Sequence, residues 1–354
     1  MKFLFFVIVA ILGVANATAD NEKDHNHDAH KALCDVMKVA VAQLQSNSVS
    51  NAMKEALHQT IFGNKSGGSL DALKGAVPKE YYDGESRGDD RGMWCGQPFD
   101  DDHHLSNMDQ PRWPGHSGPH DMVCLCTVGT DGYPLKDASS GNSPATTLCG
   151  KNRSDLKAEE GDKGWDSEQK EKQGHGKTQI NATWVTVVTE CLQSGTGTQL
   201  KETLEKFLQK LERKPDRQLA NPNRYQLGEG TPTDLYACTG SPKLGVCVAY
   251  FNGTIVKKDH MPWWVELKNA LPEEEKFQEE KKKREEEERR KKQEEAAKQD
   301  STKKEALKSE LQTTNQTEQS HKDKLHEAIR KYNLTGSSSI TPSSSWLLSV
   351  AILI

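Results

Sequence analysis

The chain has 354 residues, of which 34% are apolar, 28% charged and 6% aromatic. This composition is too polar for a multi-span membrane protein and too apolar for a fully disordered chain. The formal net charge of -5 leaves no basic surplus that could neutralise a phosphate backbone, so nucleic acid is not expected as a partner.

Residues 1–19 have the pattern of a secretory signal peptide. Met1 and Lys2 precede an apolar run, and the small residues that follow suit cleavage after Ala17 or Ala19. The alternative is a membrane anchor, but the twelve apolar residues would span about 18 Å as a helix, against about 30 Å of bilayer hydrocarbon. We therefore predict that the mature chain begins near residue 20, in the secretory pathway.

Residues 20–270 are predicted to form a helical N-terminal domain. A helical stripe of apolar residues near 31–46 consists of Leu33, Val36, Met37, Ala40, Val41 and Leu44. A second stripe near 182–213 is interrupted by Gly and Ser at 194–197, where we expect a kink or a break. Each stripe is too narrow to be buried alone, so the two segments are expected to pack antiparallel.

The rest of this domain has weaker patterns. Residues 63–174 are rich in Gly, Pro, Asp and Ser, which predicts loops and short elements held by disulfides. The apolar block 244–251 is either a strand or a buried turn. We expect the two tryptophans and the leucine of 262–267 to close the domain.

The cysteines and sequons fit an oxidising compartment. Eight cysteines follow the signal peptide, an even number that predicts four disulfides: Cys34, Cys95, Cys124, Cys126, Cys149, Cys191, Cys238 and Cys247. Eight cysteines allow about 105 pairings, so the connectivity stays open. Six N-glycosylation sequons are candidates of which only some are expected to carry glycan: Asn64, Asn152, Asn181, Asn252, Asn315 and Asn333.

Residues 271–336 are predicted to form a charged membrane-proximal stalk. Positions 273–298 hold 11 acids and 10 bases in 26 residues, with acids placed four residues before bases. Such pairs favour a solvated helix of about 39 Å, and a charged disordered linker is the alternative. The predicted fold is therefore mainly α: an elongated antiparallel helical hairpin or bundle with disulfide-tethered loops, followed by a helical or disordered stalk.

The C-terminal residues 337–354 have the pattern of a glycosylphosphatidylinositol (GPI) attachment signal. Small residues come first, a polar spacer follows, and nine mostly apolar residues end the chain. The predicted attachment residue is Ser337, with Gly336 and Ser338 as alternatives. A frayed hydrophobic terminus is the other interpretation, although such a patch would promote association in a secreted protein.

No constellation of residues predicts catalysis, a metal site or a cofactor. The histidines His25, His27 and His30 lie near the mature N-terminus, where we expect too mobile a chain to fix a metal. The histidines His103, His104, His116 and His120 flank two cysteines at a spacing that matches no common zinc template. The segment 115–119 departs from the G-x-S-x-G nucleophile pattern at Pro119.

A series of Cys, Trp and Pro motifs resembles a known family. The motifs are His30-Lys-Ala-Leu-Cys34-Asp-Val, Trp94-Cys95-Gly96, Pro111-Arg-Trp-Pro-Gly-His116 before Val123-Cys-Leu-Cys126, Leu148-Cys-Gly150, and Trp184 before Glu190-Cys-Leu192. In this order they resemble trypanosome variant surface glycoproteins, most closely the Trypanosoma congolense type with a B-type N-terminal domain. The resemblance covers roughly residues 20–270 and the anchor arrangement.

The resemblance implies a GPI-anchored coat glycoprotein, densely packed on the parasite plasma membrane and exchanged between antigenic variants. It also implies a homo-oligomer, with a dimer favoured, a membrane contact through the GPI lipid, and exposure to host antibodies. We expect the host-facing cap to come from residues 63–174. The alternative is a related GPI-anchored receptor for a host macromolecule.

Overall fold

The first long helix, α1 (His27–Ser46), follows the predicted apolar stripe. Leu33, Val36 and Met37 of that stripe are fully buried. The helix ends at Asn47, whose left-handed backbone places its N–H on the carbonyl of Leu44. Asparagine tolerates this conformation better than most residues, which explains the stop.

The structure is a computed structural model that describes residues 23–81, 91–99, 110–135, 146–159, 164–167, 176–195, 199–215, 223–234, 236–252 and 260–329, with backbone alone for 306–329. The chain divides into two compact units, residues 1–280 and 281–354. The predicted signal peptide, the attachment residues 336–338 and the sequon at Asn333 lie outside the described residues.

The second predicted helical segment is built in two parts. Lys177–Thr183 (α6), a π-helical turn at Trp184–Val188 and Thr189–Cys191 (α7) follow one another directly. The chain then breaks, as predicted, before α8 (Leu200–Leu208). Residues 212–213, which the periodicity placed in the helix, form a short strand instead.

The two predicted segments pack antiparallel. The N–H of Gly195 donates to the carbonyl of Lys38 at 3.1 Å, and the ammonium of Lys210 lies 2.7 Å from the carboxylate of Asp28. As the second segment runs from Gly195 to Lys210, its partners in the first segment run back from Lys38 to Asp28, so the two chain directions are opposite. The predicted helical hairpin is confirmed.

Residues 63–174 contain short helices, one of which lies at the centre of the core. The helices are α3 (Leu70–Gly75), α4 (Arg91–Gly96) and α5 (Gly118–Cys126), and every residue of α5 is buried. Ser117 caps α5 by accepting the N–H of His120. The expectation of short elements is right, but α5 cannot contribute to an exposed cap. Helix α2 (Asn51–Phe62), capped by Ser50, packs against α1 and α5.

Two small sheets complete the first unit. The strand β1 (Asp24–His25) pairs in parallel with β2 (Thr147–Leu148). The strands β3 (Glu212–Arg213), β4 (Arg224–Glu229) and β5 (Val246–Phe251) form an antiparallel sheet in that order. The block 244–251 is thus mainly a strand, and every residue of β5 is buried.

All eight cysteines form disulfides. The pairs are Cys34–Cys191, Cys95–Cys124, Cys126–Cys149 and Cys238–Cys247. The first joins α1 to α7, and the next two hold α5 to α4 and to the turn after β2. The prediction of four disulfides is confirmed.

The final helix, α9, spans Trp263–Ile329. Its first turns carry the buried side chains of Trp263, Trp264 and Leu267, as expected for the end of the domain. Farther along, Glu274 accepts the N–H of Ser50 at 2.7 Å and Gln278 donates to the carbonyl of Ser48 at 2.7 Å. Because α9 includes 273–298, the helical alternative for this segment is confirmed. Among the described residues, no helix is both long and apolar enough to cross a bilayer.

Candidate functional site

A buried histidine at the start of α5 bonds to two neighbouring segments. His120 Nδ1 lies 2.6 Å from the hydroxyl of Tyr81, and its Nε2 lies 3.0 Å from the carbonyl oxygen of Trp94. Because a carbonyl can only accept, Nε2 carries the proton and Nδ1 accepts from the tyrosine. Burial lowers the pKa of His120 to about 3, so the ring is neutral near pH 7.

The adjacent carboxyl group joins α5 to the sheet and to α9. Asp121 Oδ2 accepts from the Tyr250 hydroxyl at 2.9 Å and from Trp263 Nε1 at 2.7 Å. Its Oδ1 accepts the N–H of Gly115 at 2.9 Å. Burial raises the pKa of Asp121 to about 7, although these three donors oppose the shift. The carboxyl therefore connects a loop, a strand and a helix at one point.

A buried arginine closes the other end of α5. Arg91 Nη1 donates to the carbonyls of Thr127 and Trp165, each at 2.9 Å, and Nη2 donates to the carbonyl of Cys124. The guanidinium carbon also lies 5.2 Å from the ring centroid of Trp165. The last carbonyls of a helix carry partial negative charge, so Arg91 caps α5. Burial lowers its pKa to about 9, which still leaves it cationic near neutrality.

Perturbed pKa values often mark an active site, but these groups are enclosed. Arg91, His120 and Asp121 each have 0% relative exposure and bond to the backbone or to aromatic side chains. A substrate has no access to them in this conformation. The cluster holds α4, α5, β5 and the start of α9 together, so its role is structural.

We expect the first unit to lose stability on acidification because desolvation lowers the pKa of three histidines, of which His120 is buried and His30 and His116 are half-buried. Burial lowers the pKa of His30 to about 4 and of His120 to about 3, and it holds the pKa of His116 well below the ordinary value. Below pH 6.5 these histidines bind protons in the unfolded chain, whereas in the folded chain they stay neutral until the pH is much lower. Stability is therefore full above that pH and falls as the pH drops toward 4.

Asp121 has the opposite sign. Its raised pKa makes the folded chain bind one more proton than the unfolded chain between pH 3.8 and about 7. Three histidines against one carboxyl leave a net slope of about 2 kcal/mol per pH unit near pH 5.5. Urea unfolding from pH 5 to 7 measures it. His30→Gln should flatten the slope and Asp121→Asn should steepen it, and a slope of zero in the unsubstituted chain contradicts the assignment.

In two separate groups, three possible metal-ligand atoms lie within 4.8 Å of one another, and each group contains a disulfide. They are His30 with Cys34 and Cys191, and His120 with Cys95 and Cys124. The cysteine sulfurs are bonded to each other and cannot supply thiolates. Neither group fits a metal centre while oxidised.

The N-terminal histidines are separated rather than clustered. His25 is buried and lies 2.6 Å from Glu229, while His27 lies 2.6 Å from Asp24. His30 faces the sulfur of Cys191 at 3.6 Å. The expectation that this segment is mobile is wrong, because β1 and α1 fix it in the fold. His103 and His104 lie outside the described residues.

Four of the six sequons fall on described side chains. Asn64, Asn152 and Asn181 are exposed, and Asn252 is half-buried at the end of β5. Asn315 lies in α9 where only the backbone is described. The acceptor asparagines of three sequons therefore lie at the surface of the first unit.

Sequence reasoning missed the residues that organise the core. Arg91 and Asp121 are charged residues in polar or mixed surroundings, and nothing in their spacing marks them as buried. Ser117, in the segment that resembled a nucleophile turn, is a helix cap. The sequence carries one signal for this cap. Ser117 stands three residues before His120, whose N–H it accepts, and Pro119 lies in the first turn of the helix.

The chain matches a protein-family model. The model of the trypanosomal VSG domain matches residues 41–276, two thirds of the chain. This segment contains α2 to α8, both strands β4 and β5, and the core around Arg91 and Asp121. A comparison with curated proteins finds no match. With its helical hairpin, four disulfides and this match, the chain belongs to the trypanosomal VSG domain family.

Proposed function

We propose that the chain is a GPI-anchored variant surface coat glycoprotein that forms a dense protective layer on the plasma membrane. The family match over 41–276 is the observation that carries the proposal. Antigenic variation and evasion of host antibodies are part of it, and so is a homo-oligomer, most simply a dimer. The assignment to the Trypanosoma congolense type stays a prediction.

The two ends of the sequence support display outside the cell. An apolar signal-like segment precedes the domain, and the small residues at 336–338 precede an apolar tail. Processing at both sites would leave a chain held by one lipid anchor. The proposed attachment residue is Ser337, with Gly336 and Ser338 as alternatives.

The construction of the first unit suits an exposed coat. Seven of the cysteines have at most 2% relative exposure and Cys34 has 7%, so external reductants reach the disulfides poorly. The core around α5 is shielded on all sides, whereas the exposed turn near Asn152 lies between a disulfide and α6. Substitutions at such a turn affect packing little, which fits a surface that changes between variants.

Release by phosphatidylinositol-specific phospholipase C tests the proposal. Live cells that express the chain should release it on treatment, and mass spectrometry should find a C-terminal peptide ending at Gly336, Ser337 or Ser338 with an attached glycan. A mature chain that ends at Ile354 would contradict the anchor. A clonal population whose surface labelling shows the chain to be scarce, with a retained macromolecular ligand, would favour the receptor alternative.

Glycan occupancy should follow exposure. We expect peptide mapping after glycosidase treatment in heavy-oxygen water to mark Asn64, Asn152 and Asn181 more fully than Asn252. The first three side chains are exposed, and Asn252 follows directly on a buried strand. Separate Asn→Gln variants provide the control. Higher occupancy at Asn252 than at the exposed sites would contradict this order.

A further inference from the structure

The charged part of α9 carries its charges in blocks of four. Residues 281–284 are all basic, 285–288 all acidic and 289–292 all basic, with two acids on each side at 279–280 and 294–295. Successive residues of an α-helix are about 100° apart, so four of them surround the axis. Each block therefore forms a ring of one sign, about 6 Å tall.

Apart from Lys281, which is half-buried, the charged residues of the rings are exposed to a partner. Residues 282–305 are exposed, and Arg290 reaches Glu294 on the next turn at 3.7 Å. Positions 279–295 contain no apolar residue, so they lack the apolar seam on which a coiled coil depends. Electrostatics is the main remaining contribution to contact between two such helices.

The order of the rings decides which contacts with a second copy are favourable. Along 279–295 the signs run acidic, basic, acidic, basic, acidic, which reads the same in both directions. Two copies in register therefore place like charge against like charge, whether they are parallel or antiparallel about the central ring. A shift of four residues, about 6 Å along the axis, places every ring against one of opposite sign.

We propose that residues 279–295 are a self-repelling segment, which rejects a second copy of this chain in register and accepts one only when displaced by one ring. A face with alternating charges could not do this, because it would offer opposite charges within each turn. The same blocks also provide the i, i+4 pairs of opposite charge that stabilise the single helix. The segment is thus a single helix and not a seam between subunits.

One consequence rests on the proposed function. Copies anchored in the same membrane plane stand parallel and in register, which is the arrangement that the rings oppose. The segment would keep neighbouring copies apart at this level and leave contacts between subunits to other surfaces. The effect is screened over about 8 Å at physiological salt, so it acts only between close neighbours.

The test uses a ring-inverted variant of the complete chain. It carries Lys for every Glu of 279–295 and Glu for every Lys or Arg, from Glu279→Lys to Glu295→Lys. The segment holds eight acids and eight bases, so its net charge is unchanged. Circular dichroism checks that the helix persists. A control variant carries Gln at the same sixteen positions and also keeps the net charge.

Each variant is then mixed in equal amounts with the unsubstituted chain. Native mass spectrometry and sedimentation equilibrium measure the amounts of mixed and unmixed dimers. With the ring-inverted variant, we expect roughly a threefold excess of mixed over unmixed dimers at about 20 mM salt, falling to the statistical one-to-one ratio at about 500 mM. With the Gln control, only the repulsion between two unsubstituted copies is relieved in the mixed dimer, so the excess at low salt should stay below about 1.5-fold. No mixed dimer, or no excess at low salt, would overturn the proposal. Neither result depends on whether the chain carries a lipid, so the anchor is tested separately.

Discussion

Removal of the disulfide between α1 and α7 is expected to destabilise the first unit by about 4–5 kcal/mol at 25 °C. Cys34 and Cys191 are 157 residues apart, so their bond closes the longest covalent loop in the chain. Two further disulfides lie inside that loop. Their cysteines are 29 and 23 residues apart along the chain, so they shorten the loop only modestly. Most of the loss should therefore come from the greater entropy of the unfolded chain.

The pair Cys238 and Cys247 provides a matched control. Both sulfurs are buried, but the residues are only 9 apart, so replacing both with Ala should cost about 2–3 kcal/mol. Guanidinium unfolding of Cys34→Ala with Cys191→Ala, beside the control pair and without reductant, measures the difference. Equal losses, or a greater loss in the control pair, would contradict the loop-length explanation.

Arg91→Met should lower the free energy of unfolding by about 3–5 kcal/mol. Methionine fills part of the same volume but cannot donate, so it leaves the carbonyls of Cys124, Thr127 and Trp165 without the guanidinium. Each buried carbonyl that loses its partner costs about 1–3 kcal/mol. The lost contact with the Trp165 ring adds to this.

Arg290→Met is the control for Arg91→Met. Arg290 lies in the exposed part of α9 with 72% of its side chain accessible, and its substitution should change stability by less than about 0.5 kcal/mol. Urea unfolding followed by tryptophan fluorescence reports on the core, since Trp165 and Trp184 are buried there. A loss below about 1 kcal/mol for Arg91→Met would show that water or other donors replace the guanidinium.

The helices with one buried face could be predicted from the sequence. In α1 the apolar residues recur every three or four positions because the opposite side, which holds Lys31 and Asp35, is left accessible to solvent. The break before α8 was also predictable, since Gly and Ser at 194–197 disfavour a helix. The charged helix was predicted as one of two alternatives, because its stabilising pairs are local.

The centre of the core could not be predicted in the same way. All sides of α5 are buried, so no stripe distinguishes inside from outside, and polar residues such as His120 and Asp121 interrupt the apolar run. The burial of Arg91 depends on carbonyls that lie 33 to 74 residues away from it along the chain, such as those of Cys124 and Trp165. The pairing of the cysteines is equally non-local, with separations from 9 to 157 residues.

The enclosure of α5 has a consequence for immunity. Helix Gly118–Cys126 has a capping serine, two disulfide cysteines and an aspartate that accepts three hydrogen bonds, so few replacements there would preserve the fold. The same helix is hidden from antibodies as long as the domain stays folded. A vaccine aimed at the least changeable part of this molecule would therefore raise antibodies that recognise only denatured chains.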